Sequence, residues 1–178
     1  MVSVNEVATT GTIKSLPEKF MYELGSIYDA EHVFREGIQV ALPLVKNEQV
    51  KSLLEKHIKQ TDQQIKNLEQ VFNTMGHEPI RIPCEAAAGL FADGEKLVAA
   101  IDNPAVMDVA IAGAQTKVEH LEIASYRGLI TGAQQMNQTE IVDLLQQNLQ
   151  QEEQTAQTFE QCLPQLLEQA MSAGNGSR

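Results

Sequence analysis

The chain has 178 residues, enough for one domain with a real core, and its 24 acidic against 13 basic residues give a formal net charge of −11. That balance excludes the clustered Lys and Arg that grip a nucleic-acid backbone, and it disfavours docking on anionic membranes. Without Trp and with few other aromatics, the chain offers no stacking platform, and no apolar run reaches membrane-spanning length.

Residues 1–15 are small and polar and read as a flexible tail. The segment MVSVNEVATTGT has neither a basic n-region nor an apolar h-region. No signal peptide is therefore expected, and a cytoplasmic location is the default. Cys84 and Cys162 form no CxxC motif, so a zinc ribbon and a thioredoxin-like site are excluded; both read as small buried hydrophobes. From 16 to 172 the apolar period is helical almost throughout, and 173–178 read as a second flexible tail.

The first helix is expected from about Leu16 to Lys46, with Pro43 interrupting its last turns. Its inner stripe is Leu16, Phe20, Leu24, Ile27, Glu31, Phe34, Ile38, Leu42 and Val45. A second helix, from Glu48 to Met75, ends at Gly76, a favourable C-cap. Val50, Leu53, Leu54, His57, Thr61, Gln64, Leu68, Val71, Phe72 and Met75 form its stripe; Lys51, Glu55, Lys59, Asp62, Lys66 and Glu69 lie opposite. A connection of roughly 25 to 30 residues follows, long for a bundle loop. Its Glu85–Ile101 segment reads as a short helix. Such a crossover lets the second and third long helices run parallel, as in ferritin-like bundles.

The third long helix, from Ala105 to Met136, turns Ile111, Gln115, Val118, Glu122, Tyr126, Leu129 and Ala133 inward, with Glu119 to one side. The fourth runs from Glu140 to Met171. Its Leu145, Leu149, Glu152, Ala156, Phe159, Leu163 and Leu166 alternate steps of four and three, a bundle seam that Pro164 is expected to bend. The fold class is therefore all-α: a ferritin-like four-helix bundle with a long crossover that carries an extra short helix.

Five ionisable residues fall within these apolar stripes: Glu31, His57, Glu119, Glu122 and Glu152. A buried carboxylate needs a partner, a proton or a cation. Glu119 and Glu122, at i and i+3, share a helix face. Oxygen ligands with an imidazole suit iron or manganese. The dimetal bundle pattern also needs Glu-x-x-His pairs, and the second and fourth helices lack one at the right place. Other readings stay open. Glu31 can pair with Arg35, one turn on; His57 can be a hydrogen-bonded core histidine; Tyr126 can hydrogen-bond a carboxylate or simply pack. His120 points outward and reads as a surface residue. No Ser/His/Asp nucleophile and no phosphate-binding glycine loop are evident.

The segments LGSIYDAEH, LEKHIKQTDQQIKNLEQVF, PCEAAAGL and AQTKVEHLEIASYRGL resemble the YciE/YciF-like ferritin-like family, long catalogued as a domain of unknown function. The resemblance covers about residues 16 to 170. It implies a ferritin-like bundle, a homodimer, a link to bacterial stress responses and a two-metal carboxylate site, with no settled reaction. By position, Glu31, His57, Glu119, Glu122 and Glu152 match the family's inward polar residues, and oxygen or peroxide would be the small oxidant. Two departures fall on that site: Gln60 stands where the family usually has Glu, and Ala156 where it usually has Asp. A third, Ala87 in place of Met, bears on packing only. Two functional expectations follow. One is an iron or manganese protein that reacts with oxygen or peroxide, its site weakened by Gln60 and Ala156. The other is a metal-free, non-enzymatic dimeric bundle that serves as an interaction or stress-protection module.

Overall fold

The computed structural model describes residues 12–175, with side chains described as far as 173. Most of the expected N-terminal tail, residues 1–11, and the end of the C-terminal one, residues 176–178, lie outside them. Five α-helices follow in order: α1 Leu16–Ala41, α2 Glu48–Thr74, α3 Glu85–Ala99, α4 Pro104–Gln135 and α5 Thr139–Asn175. No helix among the described residues is long and apolar enough to cross a membrane.

Helix ends follow local chemistry. Ser15 caps α1 by accepting from the Glu18 amide, with Pro17 in the first turn. The Asn47 side chain accepts from the Gln49 and Val50 amides to start α2, and Asn103 accepts from Ala105 and Val106 to start α4. Gly76, at φ 76°, ends α2 in a Schellman motif: its amide donates to the Asn73 carbonyl, and the His77 amide to that of Phe72. Asn137, at φ 56°, plays the same part after α4, with amides at 137 and 138 donating to Gln134 and Ala133.

Helical periodicity overran two boundaries. The first helix stops at Ala41 rather than Lys46, because Pro43 has no amide hydrogen for the ladder and the chain tightens into a 3₁₀ turn at Leu42–Leu44. The short crossover helix stops at Ala99, two residues before Ile101. The fourth long helix errs the other way: it runs unbroken through Pro164 to Asn175, beyond Met171.

The topology is readable from its pins. Asp108, near the start of α4, accepts from the Lys46 and Asn47 amides at 2.8 and 3.0 Å, just before α2 begins. Those two N-termini therefore lie together, so α2 and α4 run parallel, as the long crossover requires. Midway along α1, Asp29 holds the crossover, accepting from Arg81 Nε at 2.8 Å and the Cys84 amide at 2.9 Å.

The core comes in two parts. One is built around Phe20, Leu24, Leu68, Phe72, Leu129 and Leu145. The other contains Ile38, Val50, Leu54, Ile111, Phe159 and Leu166. Burial of these apolar side chains is the main stabilising term, about 1.5–3 kcal/mol for each large one. Between the two parts lies a layer of buried polar side chains.

Gly25 lets the crossover close on α1. Its carbonyl accepts from the Ile82 amide at 3.0 Å, and a Cβ there would lie 2.8 Å from the Ile82 side chain and 3.1 Å from the Ile80 carbonyl oxygen. Gly25→Ala is expected to lower the denaturation midpoint, by about 1–3 kcal/mol in stability. Gly128→Ala, where a Cβ meets nothing within 4 Å, should raise it by roughly 0.5–1 kcal/mol. Equal shifts in the two variants would refute the close-approach account.

Candidate functional site

The polar layer takes one or two residues from each long helix. Glu31 comes from α1, His57 from α2, Glu119 and Glu122 from α4, and Glu152 from α5. None is more than 2 % exposed. Each occupies a core-facing position that its helical period would otherwise give to an apolar residue, so packing two cores around the layer closes it from water.

Four of the five converge. His57, Glu119, Glu122 and Glu152 each present a ligand atom within 4.8 Å of the others. His57 Nδ1 lies 3.1 Å from Glu119 Oε1, and Nε2 lies 3.9 Å from Glu152 Oε2. Glu31 stands beside this group, close enough for its charge to raise the proton affinity of Glu119 and Glu122. It accepts a hydrogen bond from the Tyr126 hydroxyl. Arg35 turns away and pairs with Asp62 of α2 at 2.6 Å. The Glu31–Arg35 pairing is thereby corrected: one turn of helix spacing allowed it, but an acid on the neighbouring helix lies closer to the surface position of the guanidinium.

Amide side chains complete the layer. Gln115 Nε2 donates to Glu119 Oε1 at 2.8 Å and lies 3.1 Å from His57 Nδ1. Gln64 donates to Glu152. Asn148 donates to the Tyr126 hydroxyl at 3.0 Å and to the Gln64 carbonyl at 3.2 Å, and accepts from Asn67 at 2.7 Å. Sequence reasoning placed Gln64 and Gln115 on inward stripes without giving them a role, and it did not single out Asn148. Their signal was amides at core positions, weaker than a charge because a neutral amide is less costly to bury. Gln60 is partly exposed on α2, at 3.5 Å from the Thr155 hydroxyl, and Ala156 is buried in the α5 seam. His120 is exposed as expected and lies 2.7 Å from Glu160. Cys162 is buried, whereas Cys84 is only half-buried.

The electrostatics follow from burial. Loss of water pushes the carboxyls of Glu31, Glu122 and Glu152 well above the usual carboxylate range, and neighbouring carboxylates push them further. Burial raises Glu119 to about 7, against the opposing effect of hydrogen bonds from Glu152 and Gln115. Burial and the adjacent Glu119 carboxyl therefore both favour the protonated form of Glu152. The same burial holds His57 below its ordinary value and keeps Tyr126 protonated.

These residues fit a cation. Glu31, Glu119, Glu122 and Glu152 each keep one buried carboxylate oxygen, Oε2, without a hydrogen-bond partner. No Lys or Arg is among the buried polar residues described. A neutral His57 has a ring nitrogen lone pair to give whichever tautomer it adopts. Oxygen-rich donors with one imidazole are the set that iron or manganese takes.

With this geometry in view, comparison with known proteins becomes informative. The profile of a family described as a domain of unknown function (DUF892) matches residues 15–172. The chain belongs to this family. Protein YciF of Escherichia coli strain K12 is 29% identical over 144 residues, 80% of this chain and 87% of that protein. The crystal structure of E. coli YciF, described as a stress protein, superposes with a TM-score of 0.83 at 26% identity, over 88% of this chain and 99% of that one. YcfI from Rhodopseudomonas palustris gives a TM-score of 0.82 at 29% identity, over 83% and 94%. The family's all-helical bundle is thus the fold of this chain, and the protein is a homologue of a stress protein.

The raised carboxyls set a sign for the pH dependence of stability. Each holds a proton in the folded chain that the unfolded chain loses near the ordinary value of 4.5, so stability falls as pH rises from there, through about 7 for Glu119. The depressed His57 acts in the opposite sense, its contribution falling as pH drops below 6.5. Four acids outweigh one imidazole. Metal-free protein should therefore show a denaturation midpoint that declines from about pH 5 to about pH 8, with a shallower decline in Glu122→Gln. A midpoint that climbs across that window would contradict the assignment of buried, protonated acids.

Proposed function

We propose that the protein binds a divalent transition-metal ion, iron or manganese, through His57, Glu119, Glu122 and Glu152, with Glu31 beside them. The observation that carries this reading is the convergence of four ligand-bearing side chains within 4.8 Å, with unpartnered carboxylate oxygens and no Lys or Arg among the described buried residues. The cation would supply one-electron chemistry toward oxygen or peroxide. The chain's own residues do the rest. Glu119 and Glu122 bind from one face of α4. Gln64 and Gln115 orient Glu152 and Glu119 through single amide bonds. Tyr126 fixes one oxygen of Glu31 and leaves the other free. Metal binding displaces the protons held by the raised carboxyls, so affinity rises with pH.

The site is read as holding one ion rather than two. Gln60 is a neutral, poor ligand and Ala156 is none, and both stand where the family usually has an acid. A stress-associated role comes from the similarity to E. coli YciF; a homodimer comes from the family resemblance. A second reading is favoured by the amide donors Gln64 and Gln115, which already satisfy one oxygen of Glu152 and one of Glu119. In it, protons and amides alone neutralise the layer, and the bundle is a metal-free interaction or stress-protection module.

Anaerobic loading with Fe(II) or Mn(II), followed by elemental analysis, separates the two. About one equivalent per chain, lost in Glu122→Ala, is expected, together with a stability gain of about 2.7 kcal/mol at a hundredfold excess over Kd. Less than roughly a tenth of an equivalent, with no stability gain, would leave only the metal-free module.

The departures make a separate prediction. The double variant Gln60→Glu/Ala156→Asp should raise the stoichiometry toward two by restoring the missing acids. An unchanged stoichiometry in a folded double variant would show that these positions do not limit the site.

A further inference from the structure

An apolar groove of about 370 Å³ lies between α1, α3 and α4. That volume is within the range of small-molecule sites. At its mouth Val40, Leu44 and Leu97 are 57%, 37% and 48% exposed. Inward, it reaches Phe34, Ile111 and Gln115, at 4%, 4% and 7%. Gln115 is the link to the layer: it lines the groove, and its amide nitrogen also bonds Glu119 and meets His57. Gln115 thus separates a surface-connected apolar space from the buried acids.

We propose that this groove is the route by which a small, neutral, apolar molecule, dioxygen in type, reaches the acid cluster, and that Gln115 is its gate. The groove's chemistry selects the class. Past the exposed Asp93, Glu95 and Lys117 at its rim, an ion would have to shed its hydration against walls that are mostly apolar. An anion would also face the field of a chain carrying −11. A neutral diatomic meets neither penalty. Swinging the Gln115 amide aside breaks its hydrogen bond to Glu119, gives up its 3.1 Å contact with His57 Nδ1 and opens the path to His57. The purpose of the route rests on the metal-site reading; the route itself does not.

The test uses metal-free protein, so the outcome of metal loading does not touch it. Dissolved dioxygen is paramagnetic and speeds NMR relaxation of protons it approaches. Under oxygen pressure, the Ile111 methyls should relax faster than those of Ile141 and Leu145, which are buried in the other core. Gly113 lines the groove, and a Cβ there meets nothing within 4 Å. Gly113→Phe should therefore plug the groove without disturbing the fold and abolish the excess at Ile111. Gln115→Ala should increase relaxation at the His57 ring protons and leave Ile111 unchanged. Relaxation at Ile111 no faster than at Ile141 and Leu145, or no response to Gly113→Phe, would overturn the route. No change at His57 in Gln115→Ala would overturn the gate. Conversion of a dimer to a monomer by Gly113→Phe would mean that a second copy covers the groove, and would overturn both.

Discussion

Four carboxyl groups and an imidazole are held out of water between two apolar cores, with no Lys or Arg among the described buried residues to neutralise them. Isolated buried carboxylates would cost several kcal/mol each even after relaxation. The protein therefore has to fill this layer with protons, hydrogen-bond donors or a cation. Gln64, Gln115 and Tyr126 supply three donors, and the displaced carboxyl titrations supply the protons. The unpartnered Oε2 atoms are what these means leave over. That residue of unmet need is the strongest functional statement in the molecule.

The scaffold serves the layer by making its position rigid. Each acid sits on a different part of a long helix, and errors in helix register would separate the ligands by a full turn. The register is held at two places. Asp108 ties α4 to the start of α2, and Asp29 ties the crossover to α1. Within the layer, the chain of Asn67, Asn148, Tyr126 and Glu31 links α2, α5, α4 and α1 in turn. Satisfied buried networks of this kind fix one arrangement among several that an apolar core would tolerate.

Much of the site was visible as a violation of pattern. Glu31, His57, Glu119, Glu122 and Glu152 stood out because a charge on an apolar stripe has few explanations, and all five are buried. The surface place of His120 followed from the same wheel. The amides were harder. Gln64, Gln115 and Asn148 break the pattern too, but this chain carries Gln on exposed faces as well, so their burial could not be separated from that background. The partner of Arg35 stayed open in the sequence for a different reason. Helix spacing ranks neighbours on one helix, while Asp62 approaches from the next. Pro43 announced an interruption, and only its exact form, a 3₁₀ turn after Ala41, came from the packed chain.

By itself, the sequence determined the all-α class, the four long amphipathic segments, the long crossover and the identity of the inward acids. These are local properties: a period of 3.6 residues, capping side chains and prolines act within a few residues of where they stand. Tertiary structure alone decided which acids meet. It brought His57, Glu119, Glu122 and Glu152 within ligand distance, gave Glu31 to Tyr126, and placed Gln115 between an apolar groove and the cluster. The physical reason is that rotation about each helix axis and sliding along it are set by how the two cores pack, and no single helix carries that information.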